Sequence, residues 1–63
     1  MRRRQLERHL RQAGCRLDRE GANHSWWVGP RGTPTAIPRH REIKPNLARA
    51  ICKQLGVPPP RGR

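Results

Sequence analysis

The chain has 63 residues, enough for one domain and too few for a second, and so small a domain can hold only a thin core. Its 15 Lys and Arg against 4 Asp and Glu give a formal charge of +11, and thirteen of the cations are arginine, whose forked donors match phosphate geometry and suit a polyanion. No apolar run approaches the ~18 residues of a membrane span, and Gln5, Glu7 and Arg8 interrupt any signal-peptide core behind Met1-Arg2-Arg3-Arg4, so a cytoplasmic location with no membrane partner is expected.

Leu, Ile, Val and Phe together supply 10 residues, a poor share for a chain of this charge, so order has to rest on the periodic segments. Residues 3 to 13 predict a helix: Leu6, Leu10 and Ala13 fall at i, i+4 and i+7 on one apolar stripe, opposite Arg4, Glu7, Arg8 and Arg11. His9 borders that stripe and reads as a partly packed surface histidine. Gly14 supplies a left-handed stop. From Cys15 to Glu20 the chain alternates, Cys15 and Leu17 on one side and Arg16 and Asp18 on the other, the pattern of a half-buried strand. Gly21-Ala22-Asn23 has turn chemistry, and His24 to Val28, aromatic and β-branched, predicts a second strand antiparallel to the first.

After the turn cluster Gly29-Pro30-Arg31-Gly32, Thr33 to Ile37 reads as a short third strand, at an edge because of Pro34. Arg39-His40-Arg41-Glu42 follows as a charged loop. Pro45 fits the first position of a second helix with Leu47, Ala50, Ile51 and Leu55 as its apolar stripe, and Gly56 ends it. Residues 1–56 then form the domain, and 57–63, with Pro58-Pro59-Pro60 and Arg61-Gly62-Arg63, an extended flexible tail. The expected fold class is α+β in the order α-β-β-β-α: a three-stranded antiparallel sheet with two helices on one face.

Strand parity puts His24, Trp26 and Val28 on one face of the second strand and Ser25 and Trp27 on the other. With His24 outward, Trp27 belongs to the core, and Trp26 is an exposed aromatic that can stack on a base or anchor a protein partner; the alternative, with Trp26 inward and Trp27 outward, has the same parity and stays open. Cys15 and Cys52, only two and far apart, read as reduced thiols acting as small hydrophobes. No pair among the cysteines and three histidines has zinc-ligand spacing, no glycine-rich phosphate loop occurs, and Ser25 beside His24 is mere sequence adjacency. No metal, cofactor or small-molecule substrate is expected.

The order of elements resembles the HicA family, ribonuclease toxins of bacterial and archaeal toxin–antitoxin pairs, over about residues 5 to 56. The likeness is carried by His24 entering the second strand with Trp27 three residues on, by Ile37-Pro38-Arg39-His40-Arg41-Glu42-Ile43-Lys44, and by Leu47-Ala48-Arg49-Ala50-Ile51 followed by Gly56. Members of that family usually carry Gly-Ser before the histidine; this chain has Ala22-Asn23. The resemblance implies a fold like a double-stranded-RNA-binding domain, cleavage of messenger RNA, and silencing by a HicB-type antitoxin.

RNA can be cut by its own 2′-hydroxyl, provided a base takes the hydroxyl proton, cations meet the charge on phosphorus, and an acid helps the 5′-oxygen leave. Histidine, with an ordinary pKa near ~6.5, suits the first or last task. His24 is therefore the expected catalytic residue. Arg19, Arg39, His40, Arg41 and Lys44 are the expected RNA contacts, Lys44 because it precedes a helix N-terminus. The antitoxin is expected on His24, Trp26 and Lys44. The competing readings are a non-catalytic basic RNA-binding module of the same fold and a basic DNA-binding accessory protein.

Overall fold

The computed structural model describes residues 1–60. Helix α1 (Arg3–Gln12) leads into strands β1 (Arg16–Glu20), β2 (His24–Val28) and β3 (Pro34–Pro38), and helix α2 (Pro45–Leu55) closes the domain. The expected α-β-β-β-α order holds, with shifts of one residue at the end of α1, the start of β1 and both ends of β3. The three strands form one antiparallel sheet in the order β1-β2-β3, so β3, with Pro34 as its first residue, is an edge strand. The part of the tail formed by residues 61–63 lies outside the described residues.

Each helix ends in the same motif. At the end of α1, Gly14 takes a φ of 95°, its N–H donates to the Arg11 carbonyl, and the Cys15 N–H donates to the Leu10 carbonyl. At the end of α2, Gly56 takes a φ of 78°, its N–H donates to the Lys53 carbonyl, and the Val57 N–H donates to the Cys52 carbonyl. This double bond pattern turns the residue after the glycine back onto the helix's own last turn. It drives Cys15 and Val57 into the core. Val57, expected as the first residue of the tail, is only 8% exposed, and the Pro58 carbonyl accepts a 2.8 Å hydrogen bond from His9 Nε2.

The core lies between one face of the sheet and the two helices. Trp27, 1% exposed, is its largest side chain, and Ser25, Thr35 and Ile37 share its face. Leu6 and Leu10 cover this face from α1; Ala48, Ile51, Cys52 and Leu55 cover it from α2. The buried stripe of α2 therefore differs from the one expected. Ile51 and Leu55 are inside as read, but Ala48 and Cys52 replace Leu47 and Ala50, and Leu47 is 39% exposed. Both stripes have helical spacing, so periodicity alone does not choose between them; the docking of α2 on the rest of the core does.

The loop between β3 and α2 is fastened to the start of the chain. Ile43 is fully buried in the core. The Arg3 N–H donates to the Arg41 carbonyl at 2.8 Å, the Ile43 N–H donates to the Met1 carbonyl at 2.7 Å, and Arg2 and Glu42 form an isolated antiparallel bridge. The charged segment 39–42 is thus a fixed edge of the molecule, joined to the N-terminus of α1.

Candidate functional site

The second face of the sheet carries no helix. Its centre is β2, where His24 is exposed and Trp26 and Val28 are half-buried. On β1 the register slips: Leu17 lies opposite Trp27, but Arg19, two residues on, lies opposite Trp26. Asp18 is the extra residue of a β-bulge, which reverses the alternation of the strand beyond it. Strict alternation would put Arg19 with Leu17 on the core face. The bulge brings it to the open face instead, with its guanidinium 5.7 Å from the centre of the Trp26 ring, within range of a cation–π contact. Arg19, His24 and Trp26 thereby share one surface.

The turn before His24 is held from several sides. The Gly21 N–H donates to the His24 carbonyl at 2.7 Å, and a β-carbon on Gly21 would lie 3.1 Å from that same oxygen, so glycine relieves a tight approach. Across the sheet His24 pairs with Pro38, and the next residue, Arg39, donates its N–H to the Asn23 carbonyl at 3.4 Å. The Arg39 guanidinium then reaches back over the turn: Nη1 lies 3.0 Å from Glu20 Oε1 and donates to the Gly21 carbonyl at 3.2 Å. The same Glu20 oxygen accepts from Ser25 Oγ at 3.1 Å. Glu20 thus ties together the last residue of β1, the buried hydroxyl of β2 and the first arginine of the loop.

Sequence reasoning missed Glu20. The available signal was that one of only four acidic residues ends β1 just before the turn that delivers His24. Ser25, set aside as a nucleophile because strand neighbours face apart, is 4% exposed on the core face, away from His24.

Of the remaining expected contacts, His40, Arg41 and Lys44 are all exposed. Among the described residues no hydrogen bond or ion pair joins any of them to His24. Lys44 is the N-cap residue of α2, with Pro45 following at the first helical position. No three His, Cys, Asp or Glu side chains converge as a metal would require among the described residues, and no described helix is long and apolar enough to cross a membrane.

The ensemble amounts to an exposed imidazole at a strand end, an arginine-braced tryptophan on the same face, and a second arginine fixed beside the preceding turn. It offers a titratable nitrogen, cationic donors and a flat aromatic to one ligand. The family model described as the HicA toxin of bacterial toxin–antitoxin systems matches residues 3–57, nearly the whole chain. No curated protein sequence and no solved structure matches it.

Proposed function

Because the chain belongs to the HicA toxin family of bacterial toxin–antitoxin systems, we propose that it is an endoribonuclease that cleaves messenger RNA without a metal, with His24 as general base or acid. The observation that carries this reading is His24 itself, exposed at the start of β2 on the uncovered face, with Arg19 and Trp26 beside it. His24 takes the 2′-hydroxyl proton as that oxygen bonds to phosphorus. The bond from phosphorus to the 5′-oxygen breaks, leaving a cyclic 2′,3′-phosphate and a 5′-hydroxyl that gains a proton from an acid or water. Arg19 and Arg39 meet the charge that builds on the phosphoryl oxygens. Arg39 spends Nη1 on Glu20 and Gly21, and its other donors remain for phosphate. Arg41 and Lys44 extend the cationic rim along which the RNA lies, and His40 adds a ring that can hydrogen-bond to phosphate.

A HicB-type antitoxin is the proposed protein partner, seated on His24, Trp26 and Lys44. Trp26 supports this assignment: a half-buried aromatic at the middle of an uncovered sheet face has the size and position of an interface anchor.

The test is incubation of purified protein with RNA in EDTA, beside His24→Ala. Wild type should cut the RNA and the variant should lose at least ~10²-fold in rate, while both retard the RNA in a gel. Retardation by both proteins with no cutting by either would replace this reading with that of a non-catalytic RNA-binding module.

A further inference from the structure

The N-terminus of α1 and the loop after β3 enclose a cleft of about 580 Å³ lined by Arg2, Arg3, Arg4, Glu7, Arg39 and Arg41. Five arginines against one glutamate give the lining a formal charge of +4. Arg3 is partly satisfied by Glu7, with Nε to Oε2 at 3.5 Å, and Arg39 by Glu20. Arg2, Arg4 and Arg41 have no carboxylate partner among the described residues.

This cluster is poorly placed for the stability of α1. The start of a helix is its positive end and favours anions, and Ser, Thr, Asp or Asn are the residues that cap it well. Here the N-cap is Arg2, the next two residues are Arg3 and Arg4, and no acidic residue stands in the first turn. Two neutral acceptors compensate: Gln5 Oε1 accepts from the Arg2 N–H at 3.0 Å, and the Arg41 carbonyl accepts from the Arg3 N–H at 2.8 Å. A bound anion would supply what the sequence withholds at this helix end.

The cleft also adjoins the site already described. Arg39 belongs to both, because it lines the cleft and braces the turn before His24. Arg41 lies three residues beyond Pro38, the cross-strand neighbour of His24, a span of at most about 10 Å of extended chain. The backbone bonds of Arg3 and Arg2 to the loop fix the two walls against one another, so the arginine forks are presented on a rigid frame.

We propose that this cleft is a second phosphate-binding subsite, which grips the backbone of the same RNA strand a nucleotide or two away from the bond at His24. The proposal rests on the reading of the protein as RNA-binding and adds Arg2, Arg3 and Arg4 to its contacts. Arginine forks match phosphate bidentately, as they also match carboxylate; the continuity of the cleft through Arg39 with the turn before His24 favours the strand being cut over a separate ligand.

The test is fluorescence anisotropy with an uncleavable 2′-O-methyl dodecamer over a range of salt concentrations. Arg2→Gln/Arg4→Gln is compared with Arg8→Gln/Arg31→Gln, a pair of equal charge outside the cleft, and with Arg2→Lys/Arg4→Lys. For a single strand, each lost phosphate contact makes the slope of log K against log salt shallower by about 0.7, so the cleft pair should lose about 1.4. The outside pair should lose less than half of that, and the lysine pair should keep the wild-type slope. Removing cations from a positive helix end should leave the thermal midpoint at or above that of wild type, which separates a binding loss from unfolding.

Equal losses in the cleft and outside pairs would overturn the subsite and leave only a diffuse cationic surface. A cleft pair that binds the dodecamer unchanged but loses binding to poly-glutamate would assign the cleft to an acidic protein segment, and overturn it as well. The RNA incubation in EDTA separates the two readings. If wild type leaves RNA intact while the cleft pair still flattens the slope, the ribonuclease reading falls and the subsite stands. If RNA is cut and the slope does not move, the subsite alone falls.

Discussion

Glu20 accepts hydrogen bonds from both Ser25 and Arg39, so it restrains an arginine of the candidate site by partly neutralising it. Glu20→Gln should therefore release Arg39 and tighten RNA binding, read by anisotropy. Because the pair is about half exposed, the melting curve should record no more than ~1 kcal/mol of lost stability. Trp27 is the opposite kind of residue, buried, with no acceptor for its Nε1 among the described residues and with Arg11 stacked 4.9 Å above its ring. Trp27→Ala should cost ~3–5 kcal/mol, a large part of what a domain this small can have, and urea titration should find the variant largely unfolded without denaturant. Burial pushes the Cys52 thiol up to about 11, with neighbouring Cys15 adding to the shift, against an ordinary value of 9.0. The unfolded chain then releases this proton before the folded one does. The stabilising contribution is complete below pH 9 and is lost as pH rises from 9 toward 11. Wild-type stability should fall across that window more steeply than that of Cys52→Ala, as read from denaturation midpoints at each pH.

At the scale of elements, the close approach of the β2–β3 turn to the end of α2 is the feature most exposed to failure. Gly29 is buried, and a β-carbon there would collide with the Leu55 carbonyl oxygen, which is backbone and cannot swing aside. Gly29→Ala should lower the urea midpoint by an amount equivalent to ~1–3 kcal/mol, with an unchanged slope if only packing is affected. Gly32, in the same turn, has open space around it; the cost of changing it arises from its φ of 88° and not from a collision. The paired helix endings matter for the same reason, since Cys15 and Val57 enter the core only because the preceding glycines turn the chain back. Glycine at these two ends was legible in the sequence. The burial of Val57 was not, because a valine ahead of three prolines looks like the beginning of a linker until the bond to the Cys52 carbonyl is seen.

The described residues form a thin slab, 27 × 25 × 16 Å across their Cα atoms, with one face of the sheet bare, and the full chain carries a formal charge of +11. Such a body repels itself. Raising salt from ~10 mM to ~150 mM shortens the screening length from ~30 Å to ~8 Å and should raise the thermal midpoint, and a polyanion should raise it further at equal ionic strength if the fixed array of cations on the folded form binds it more tightly than the unfolded chain does. A midpoint that falls with added salt would mean that attractive ion pairs outweigh the repulsion. The HicA family implies a toxin–antitoxin pairing, and on the proposed seating of the partner at Trp26 the bare face is where binding would add stability.

Whatever depends on near neighbours along the chain could be read before folding. The order of elements follows from their two periods and from Gly14, Gly56 and Pro45 at the ends, and the parity of β2 sets Trp27 on the face opposite His24 and Trp26, while the fold decides that Trp27 is the one inside. Tertiary structure decided whatever depends on a partner distant in sequence. The bulge at Asp18 puts Arg19 beside Trp26 where strict alternation would turn it to the core face, and the docking of α2 buries Ala48 and Cys52 and leaves Leu47 and Ala50 outside. Glu20 meets Arg39, and the arginines at 2–4 meet those at 39 and 41, only when the chain has folded. Periodicity reports which residues share one element's face; it carries no information about what stands opposite that face, and the chemistry of this surface is made by those oppositions.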